Sequence, residues 1–453
     1  LIYTSGTTGA PKGVMLTHAH LASMVAATRQ HGSLVLAPGE VTLSILPLSH
    51  VFERAASYIF FGSGVTTLYA ASMQTVPRDL AAVRPQHVVA VPRLFEKVYD
   101  AVAGAPALKG KIARWAARTA VSYMDALTSG RAPSAALRAR HALADRLVFR
   151  VLRQRVGGRL KTFICGGAPL EPHIGALFHA AGMPIYEGYG LTETSPVIAA
   201  NKPGHVRLGS AGVPYPGVEV RLGEQAEIQV RAPGVFSGYW QRPEASAAAF
   251  TPDGWFRTGD VGAIENGFLL VIDRLKELIV TAGGKNVAPQ PLEQRVISSP
   301  LISQAVLLGD RRPYLVMLVV PEFAALEAAS EPGLLDRAAA ALHAGEGLRP
   351  AERAAAAMHE LAGSSAERAA NALHEGSALI QRLAAEVASC LHDTARVERP
   401  KRIAILPQEF TVDNGLLTPT LKVRRRAVER AYRELLDELY AGRAGMAVPW
   451  EAP

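Results

Sequence analysis

YTSGTTGAPKGVMLTH, residues 3–18, is a glycine- and hydroxyl-rich loop with one lysine, set between a short apolar lead (Leu1, Ile2) and a helical pattern. Ser5, Thr7 and Thr8 supply hydroxyl donors. Gly6 and Gly9 let backbone N–H groups approach an anion closely, and Lys12 adds a point charge. The combination suits a polyphosphate. It is not a Walker A loop, because Pro11 stands five residues after Gly6, where that motif requires glycine followed by lysine. The plain alternative is a flexible surface turn.

Six further stretches follow in order: LPLSHVFER (46–54), CGGAPL (165–170), YEGYGLTETSP (186–196), WFRTGD (255–260), DRLKELIVTAGGKNVAP (273–289) and NGLLTPTLKVRR (414–425). Together with the opening loop they resemble the adenylate-forming superfamily of acyl-CoA synthetases, luciferases and peptide-synthetase adenylation domains. The resemblance runs from the first residue to about Arg426. The wording of LPLSHVFER, GYGLTET and TAGGKNVAP is most similar to bacterial long-chain fatty-acyl-CoA synthetases. Members of that family carry a long region before the phosphate loop, so the resemblance implies an N-terminally incomplete chain.

Composition sets bounds around this. At 453 residues the chain has room for two or three domains, and 49% hydrophobic content supports a large core. Two cysteines, Cys165 and Cys390, fit a reducing cytoplasm better than a disulfide framework. No signal peptide is evident, and the most apolar stretch, 55–73, reads as a buried helix and strand. A net charge of +8 suits acidic partners such as ATP, CoA or an anionic membrane surface. Nucleic acid would fit on charge alone, but no recognition module is evident.

Short apolar runs alternate with helical stretches up to about Asn201, which implies layered α/β structure with a parallel sheet. Leu43–Leu48, Val65–Tyr69, His87–Val91 and Phe163–Cys165 read as buried strands. Helical periodicity covers 18–31, 92–103, 107–129, 134–155 and 171–181. From Gly209, glycine and proline punctuate short alternating segments, expected to form a small antiparallel barrel or sheet. The expected division is a large adenylation domain over 1–274 (α/β over 1–208, β over 209–274) and a small mobile α+β domain over 275–453. The latter carries strands at Ala305–Leu308, Leu315–Val320 and Ile403–Leu406 and a terminal helix from Arg425 to Tyr440. An alanine-rich helical insert spans about 323–398 and repeats itself at Asp336–His343, Glu352–His359 and Glu367–His374. The spacing of His343, His359 and His374 fits tandem duplication better than a metal site.

The resemblance implies a two-step reaction with ATP, Mg²⁺ and CoA. A fatty-acid carboxylate attacks the α-phosphate, and a thiol then attacks the acyl-adenylate. It assigns Thr4, Ser5, Gly6, Thr7, Thr8, Gly9 and Lys12 to the phosphates, and Glu193 and Thr4 to Mg²⁺. Thr192 would contact the α-phosphate. Gly167, Ala168, Pro169, Glu187, Gly188, Tyr189 and Gly190 would form the adenine site, with Asp260 at the ribose and Arg274 at the same ribose or the phosphate. Lys422 would be the adenylating lysine and Lys276 the hinge. His50 and Phe52 would flank the acyl group, and Gly283, Gly284 and Lys285 would line the pantetheine path. On its own residues alone, Gly166-Gly167 is an ordinary strand-end turn, and Lys422 among Arg424, Arg425 and Arg426 is a basic surface patch.

Three other outcomes stay open at this point: an acyl-AMP ligase serving a carrier protein, a non-catalytic fragment, and a basic nucleic-acid binder. A long-chain substrate also makes peripheral membrane contact an expectation.

Overall fold

The computed structural model describes residues 1–4, 11–103, 107–322, 381–406, 408–417, 423–442 and 446–450. The repeated insert, apart from its last part beyond residue 380, lies outside them, as do Ser5–Ala10 and Thr418–Lys422. The chain forms two compact units, Leu1–Val271 and Ile272–Pro453.

The first unit opens on an antiparallel hairpin, Ile2–Thr4 against Lys12–Val14, with Thr4 opposite Lys12. Lys12 therefore begins the return strand of the opening loop. Helix His18–His31 follows, started by a reciprocal cap between Thr17 and His20 and stopped by Gly32 at φ +77°.

A seven-stranded sheet forms the centre of this unit. Its order is Thr66–Tyr69, Val41–Ser44, His87–Ala90, Thr162–Cys165, Ile185–Tyr189, Ala199–Ala200 and Val213–Pro214. The first five strands run parallel and the last two antiparallel. Helices Pro92–Ala103, Ala107–Thr128 and Pro172–Ala180 are among those around it. Phe95, Phe163 and Phe178 meet edge-to-face at 5.0–5.8 Å between ring centroids, in the middle of the main core.

Two expected strands differ. The run Leu43–Leu48 is a strand only over Val41–Ser44, and Pro47, which cannot donate to a ladder, lies in a turn closed by His50 N–H on its carbonyl. Thr66–Tyr69 is an edge strand, so Leu68 and Tyr69 are largely exposed although Val65 is buried. The expected barrel or sheet takes the form of an open four-stranded sheet, Glu219–Leu222, Glu227–Arg231, Phe256–Glu265 and Phe268–Arg274 in that order.

Three of the five parallel strands are tied together at their starts by one buried group. Glu40 precedes Val41, His87 begins its strand and Lys161 precedes Thr162. Glu40 meets His87 Nε2 at 2.9 Å and Lys161 Nζ at 2.5 Å, and accepts the Ala37 N–H at 2.8 Å. Burial alone would raise this carboxyl, but Lys161 and His87 outweigh it and hold it down at about 2. Three neighbouring strands are thereby pinned at their N-terminal ends, and their C-terminal ends emerge together on the opposite edge.

The second unit is built on the sheet Ile302–Leu308, Val316–Pro321, Arg402–Ile405 and Met446–Ala447. Val316–Pro321 is buried on both faces. Met317 and Val319 join Leu292, Val296, Leu383 and Val387 on one side, while Val316, Leu318 and Val320 join Phe410, Val428 and Leu439 on the other. The expected terminal helix is two helices, Arg425–Ala431 and Arg433–Tyr440, broken at Tyr432.

Glu40→Gln should destabilise the chain by about 1–3 kcal/mol at pH 7. A carboxylate held at about 2 stabilises fully above its unfolded value of 4.5 and loses that contribution as pH falls towards 2. Urea midpoints of the two proteins should therefore converge on acidification; a constant gap would refute the assignment.

Candidate functional site

The C-terminal ends of the parallel strands carry three of the sequence motifs, 46–54, 165–170 and 186–196. After Val41–Ser44, His50 caps helix Val51–Gly62, its Nδ1 accepting the Phe52 N–H at 3.3 Å. The Phe52 ring lies against Gly166. A Cβ at position 166 would stand 3.1 Å from that ring and 3.2 Å from the Gly188 carbonyl. Three separate motifs thus touch at one point: 46–54, 165–170 and 186–196. Gly167 turns the chain at φ +86° and, with Ala168 and Pro169, leaves an exposed backbone ledge.

Strand Ile185–Tyr189 delivers the next group. Tyr189 donates its hydroxyl to Asp260 Oδ2 at 2.6 Å, and the Asp260 N–H donates to Thr258 Oγ1 at 3.1 Å. Asp260 is buried. Gly190 is sterically compelled, because a Cβ there would fall 1.5 Å from the Pro196 carbonyl oxygen. Glu187 turns inward. Burial pushes its carboxyl up to about 8, although it accepts the backbone N–H groups of Gly209 and Leu170. Glu53, one residue beyond Phe52, is likewise buried and raised to about 7, with Ser44 hydrogen-bonded to it.

Thr192–Thr194 form a 3₁₀ turn that buries Glu193 and leaves Thr192 half-buried. Glu193 Oε1 accepts the Tyr239 hydroxyl at 2.8 Å. Burial, with Glu193 beside it, drives the Tyr239 phenol far above its ordinary value, so it stays a donor. Lys12 Nζ stands 4.6 Å from the centroid of the same ring. Backbone bonds from Trp240 N–H to Gly13 O and from Met15 N–H to Gly238 O hold the hairpin on this segment. Tyr239 therefore links Lys12 to Glu193, and sequence reasoning missed it. Its only signal was the triplet Gly238-Tyr239-Trp240 in a glycine-punctuated β region. Thr4 donates to the Lys12 carbonyl at 3.5 Å, and Ser5, Gly6, Thr7, Thr8 and Gly9 lie outside the described residues.

Glu193 is a hard oxygen donor in a turn. Among the described residues no group of three His, Cys, Asp or Glu could hold a metal by itself. A lone buried carboxylate fits Mg²⁺, which takes most of its remaining ligands from phosphates and water.

The second unit carries the rest. Arg274 and Lys276 are exposed, Lys276 in the turn after strand Phe268–Arg274. Gly283-Gly284 form a turn in which Gly284, at φ +72°, donates to Thr281 O, and Thr281 Oγ1 accepts the Lys285 N–H at 3.3 Å. Asp273 is buried and lifted to about 6 by that burial, while accepting the N–H groups of Gln290 and Arg274. Lys422 lies outside the described residues; Leu417 and Val423 are joined by an antiparallel bridge. Arg425 corrects the basic-surface reading. Its guanidinium is buried, bidentate on Glu293 at 2.5 and 2.9 Å, 3.5 Å from Glu277, and bonded to Leu307 O at 2.6 Å.

Comparison with known proteins gives concordant results. The family described as AMP-binding enzyme matches residues 1–240, and the AMP-binding enzyme C-terminal domain matches residues 276–351. The chain is 40% identical, over 97% of its length and 69% of the relative's, to long-chain-fatty-acid–CoA ligase FadD15 of Mycobacterium bovis. It is 29% identical, over 97% of its length and 61% of the relative's, to the long-chain-fatty-acid–[acyl-carrier-protein] ligase AEE15 of Arabidopsis thaliana. Among solved structures, the adenylation domain of a carboxylate reductase from Mycobacterium chelonae superposes with a TM-score of 0.65 at 24% identity. That match covers 97% of this chain and 60% of the other.

Two substitutions test the buried charges. Arg425→Met leaves Glu293 and Glu277 without their cation and should cost about 3–5 kcal/mol in urea unfolding; a loss below about 1 kcal/mol would show the cluster to be well solvated. Glu187 sits at about 8 when folded and 4.5 when unfolded, so its contribution is intact below 4.5 and lost as pH rises through 8. Glu187→Gln should hold its Tm between about pH 5 and pH 9 better than the wild type does. Parallel curves would contradict the burial.

Proposed function

The chain belongs to the AMP-binding enzyme family, and from that premise we propose that it is an ATP-dependent ligase joining a long-chain fatty acid to CoA through an acyl-adenylate. The observation that carries this reading is the convergence of Lys12, Tyr239 and Glu193, together with the hydrogen bond from Tyr189, at the end of strand Ile185–Tyr189, to Asp260. A cation, a buried carboxylate and a ribose-type acceptor are the groups that adenylation needs.

In the first step the fatty-acid carboxylate attacks the α-phosphorus, forming a C–O–P linkage and releasing pyrophosphate. Lys12 and the loop donors of residues 4–9 hold the β- and γ-phosphates, and Thr192 binds the α-phosphate. Glu193, with Thr4, would hold Mg²⁺, which supplies neutralisation of phosphate charge when bound. Gly167, Ala168 and Pro169 offer the adenine a flat backbone face opposite Tyr189, with Glu187, Gly188 and Gly190 shaping the strand end around it. Asp260 and Arg274 take the ribose. His50 and Phe52 orient the acyl carboxylate, and Lys422 bridges carboxylate and α-phosphate oxygens. In the second step the CoA thiol attacks the adenylate carbonyl, forms the thioester and releases AMP. Lys276 is the proposed hinge between the steps, and Gly283, Gly284 and Lys285 the proposed pantetheine path.

A carrier-protein acceptor is the second reading, favoured by the likeness to the acyl-carrier-protein ligase. We place the enzyme in the cytoplasm, with peripheral contact at the inner face of the membrane.

Fatty-acid-dependent ATP–pyrophosphate exchange, run with and without CoA on the full-length protein, tests the proposal. Exchange with acyl-CoA product is expected. Exchange without acyl-CoA would transfer the assignment to the carrier-protein reading, and no exchange would overturn both. Tyr239→Phe should lower exchange roughly 10–100-fold while affecting thioester formation from preformed acyl-adenylate less. Equal loss of both steps would refute its link to the phosphate site.

A further inference from the structure

Residues 135–155 form one continuous helical run: Ala135–Ala144, a π turn over Asp145–Phe149, and Arg150–Arg155. Its inner side is ordinary, with Ala144, Phe149 and Leu152 buried in the main core. Its outer side is not. Leu143, Leu147 and Val151 are 50%, 47% and 46% exposed, and their four-residue spacing sets them in one line along the helix. Arg140, Arg146, Arg150 and Arg155 are exposed around that line. Between Gly130 and Leu160 the sequence has eight arginines and a single acid, Asp145. That acid is already engaged by Arg153 at 2.6 Å.

A surface helix usually turns its polar side to water. Here an apolar line faces outward among cations. We propose that this outer face is a docking surface for an anionic lipid bilayer. Leu143, Leu147 and Val151 enter the boundary between headgroups and acyl chains, and the arginines reach lipid phosphates while their stems lie along the apolar boundary. A second copy of the chain is a poor occupant, because two such faces would bring arginine against arginine. A nucleic acid would engage the cations but leave the apolar line in water. Among the described residues no helix is long and apolar enough to cross a membrane, so the contact is a lateral one. The inference goes beyond the ligase reading and does not need it. Where both hold, the enzyme sits on the phase into which a long-chain acid partitions.

The test is flotation of the full-length protein with phosphatidylcholine vesicles, either pure or containing about one quarter phosphatidylglycerol. Two double variants are compared, L143S/L147S and R140E/R150E, with Tm measured on each to show that it folds. The wild type should float with the anionic vesicles only, and each variant should partition roughly tenfold less or weaker. The proposal is overturned if the wild type stays unbound, if either folded variant floats as well as the wild type, or if neutral vesicles bind equally. ATP–pyrophosphate exchange with acid presented in detergent should be unchanged in both variants, which separates this surface from the ligase chemistry.

Discussion

Glu40 holds His87 on one carboxylate oxygen and Lys161 on the other, and so fixes where three parallel strands begin. Parallel strands that begin in line also end in line. In an open α/β sheet that end is where loops can gather around a ligand. The contact of Phe52 with Gly166 fits this alignment, since each follows a strand so anchored. The anchor and the candidate site lie at opposite ends of the same strands, so the rigid charge cluster takes no part in the chemistry it positions.

At the working end, Tyr239 keeps two opposite charges apart while holding both. Its hydroxyl occupies one oxygen of Glu193, and its ring faces Lys12. A cation over an aromatic face is held by only ~0.5–1 kcal/mol when exposed. A phosphate can therefore take Lys12 from the ring at little cost. A direct Lys12–Glu193 ion pair would have closed the site against both polyphosphate and metal.

Much of this was legible in the chain. The helix at 92–103 follows directly from apolar periodicity, and the alternation of apolar runs with helical stretches implies a parallel sheet; the helix at 18–31 keeps its expected bounds through its Thr17 and Gly32 caps. Three of the motifs, 46–54, 165–170 and 186–196, meet because each lies at the C-terminal end of a strand of the parallel sheet. What stayed hidden depended on tertiary neighbours. Tyr239 stands 46 residues from Glu193, in a segment whose glycines signalled only turns. Arg425 looked like one of three exposed arginines until Glu293 and Glu277 were seen around it. The exposed edge position of Leu68 and Tyr69, and the break at Tyr432, are likewise invisible to a pattern of apolar spacing. The repeats of the insert and the adenylating lysine itself lie outside the described residues.

The buried carboxyls change how the whole molecule is felt at a distance. The formal charge of +8 counts every Asp and Glu as ionised. Glu187, at about 8, is mostly protonated in neutral solution, and Glu53, at about 7, is protonated about half the time. The missing negative charge, about one and a half units in all, belongs to groups beside the motif loops, so the local potential there is more positive than the sequence count suggests. A diffusing polyanion responds to that potential before it makes any contact. The rate at which ATP is captured should therefore exceed what a formal tally of charges implies, and should slow as salt screens the field.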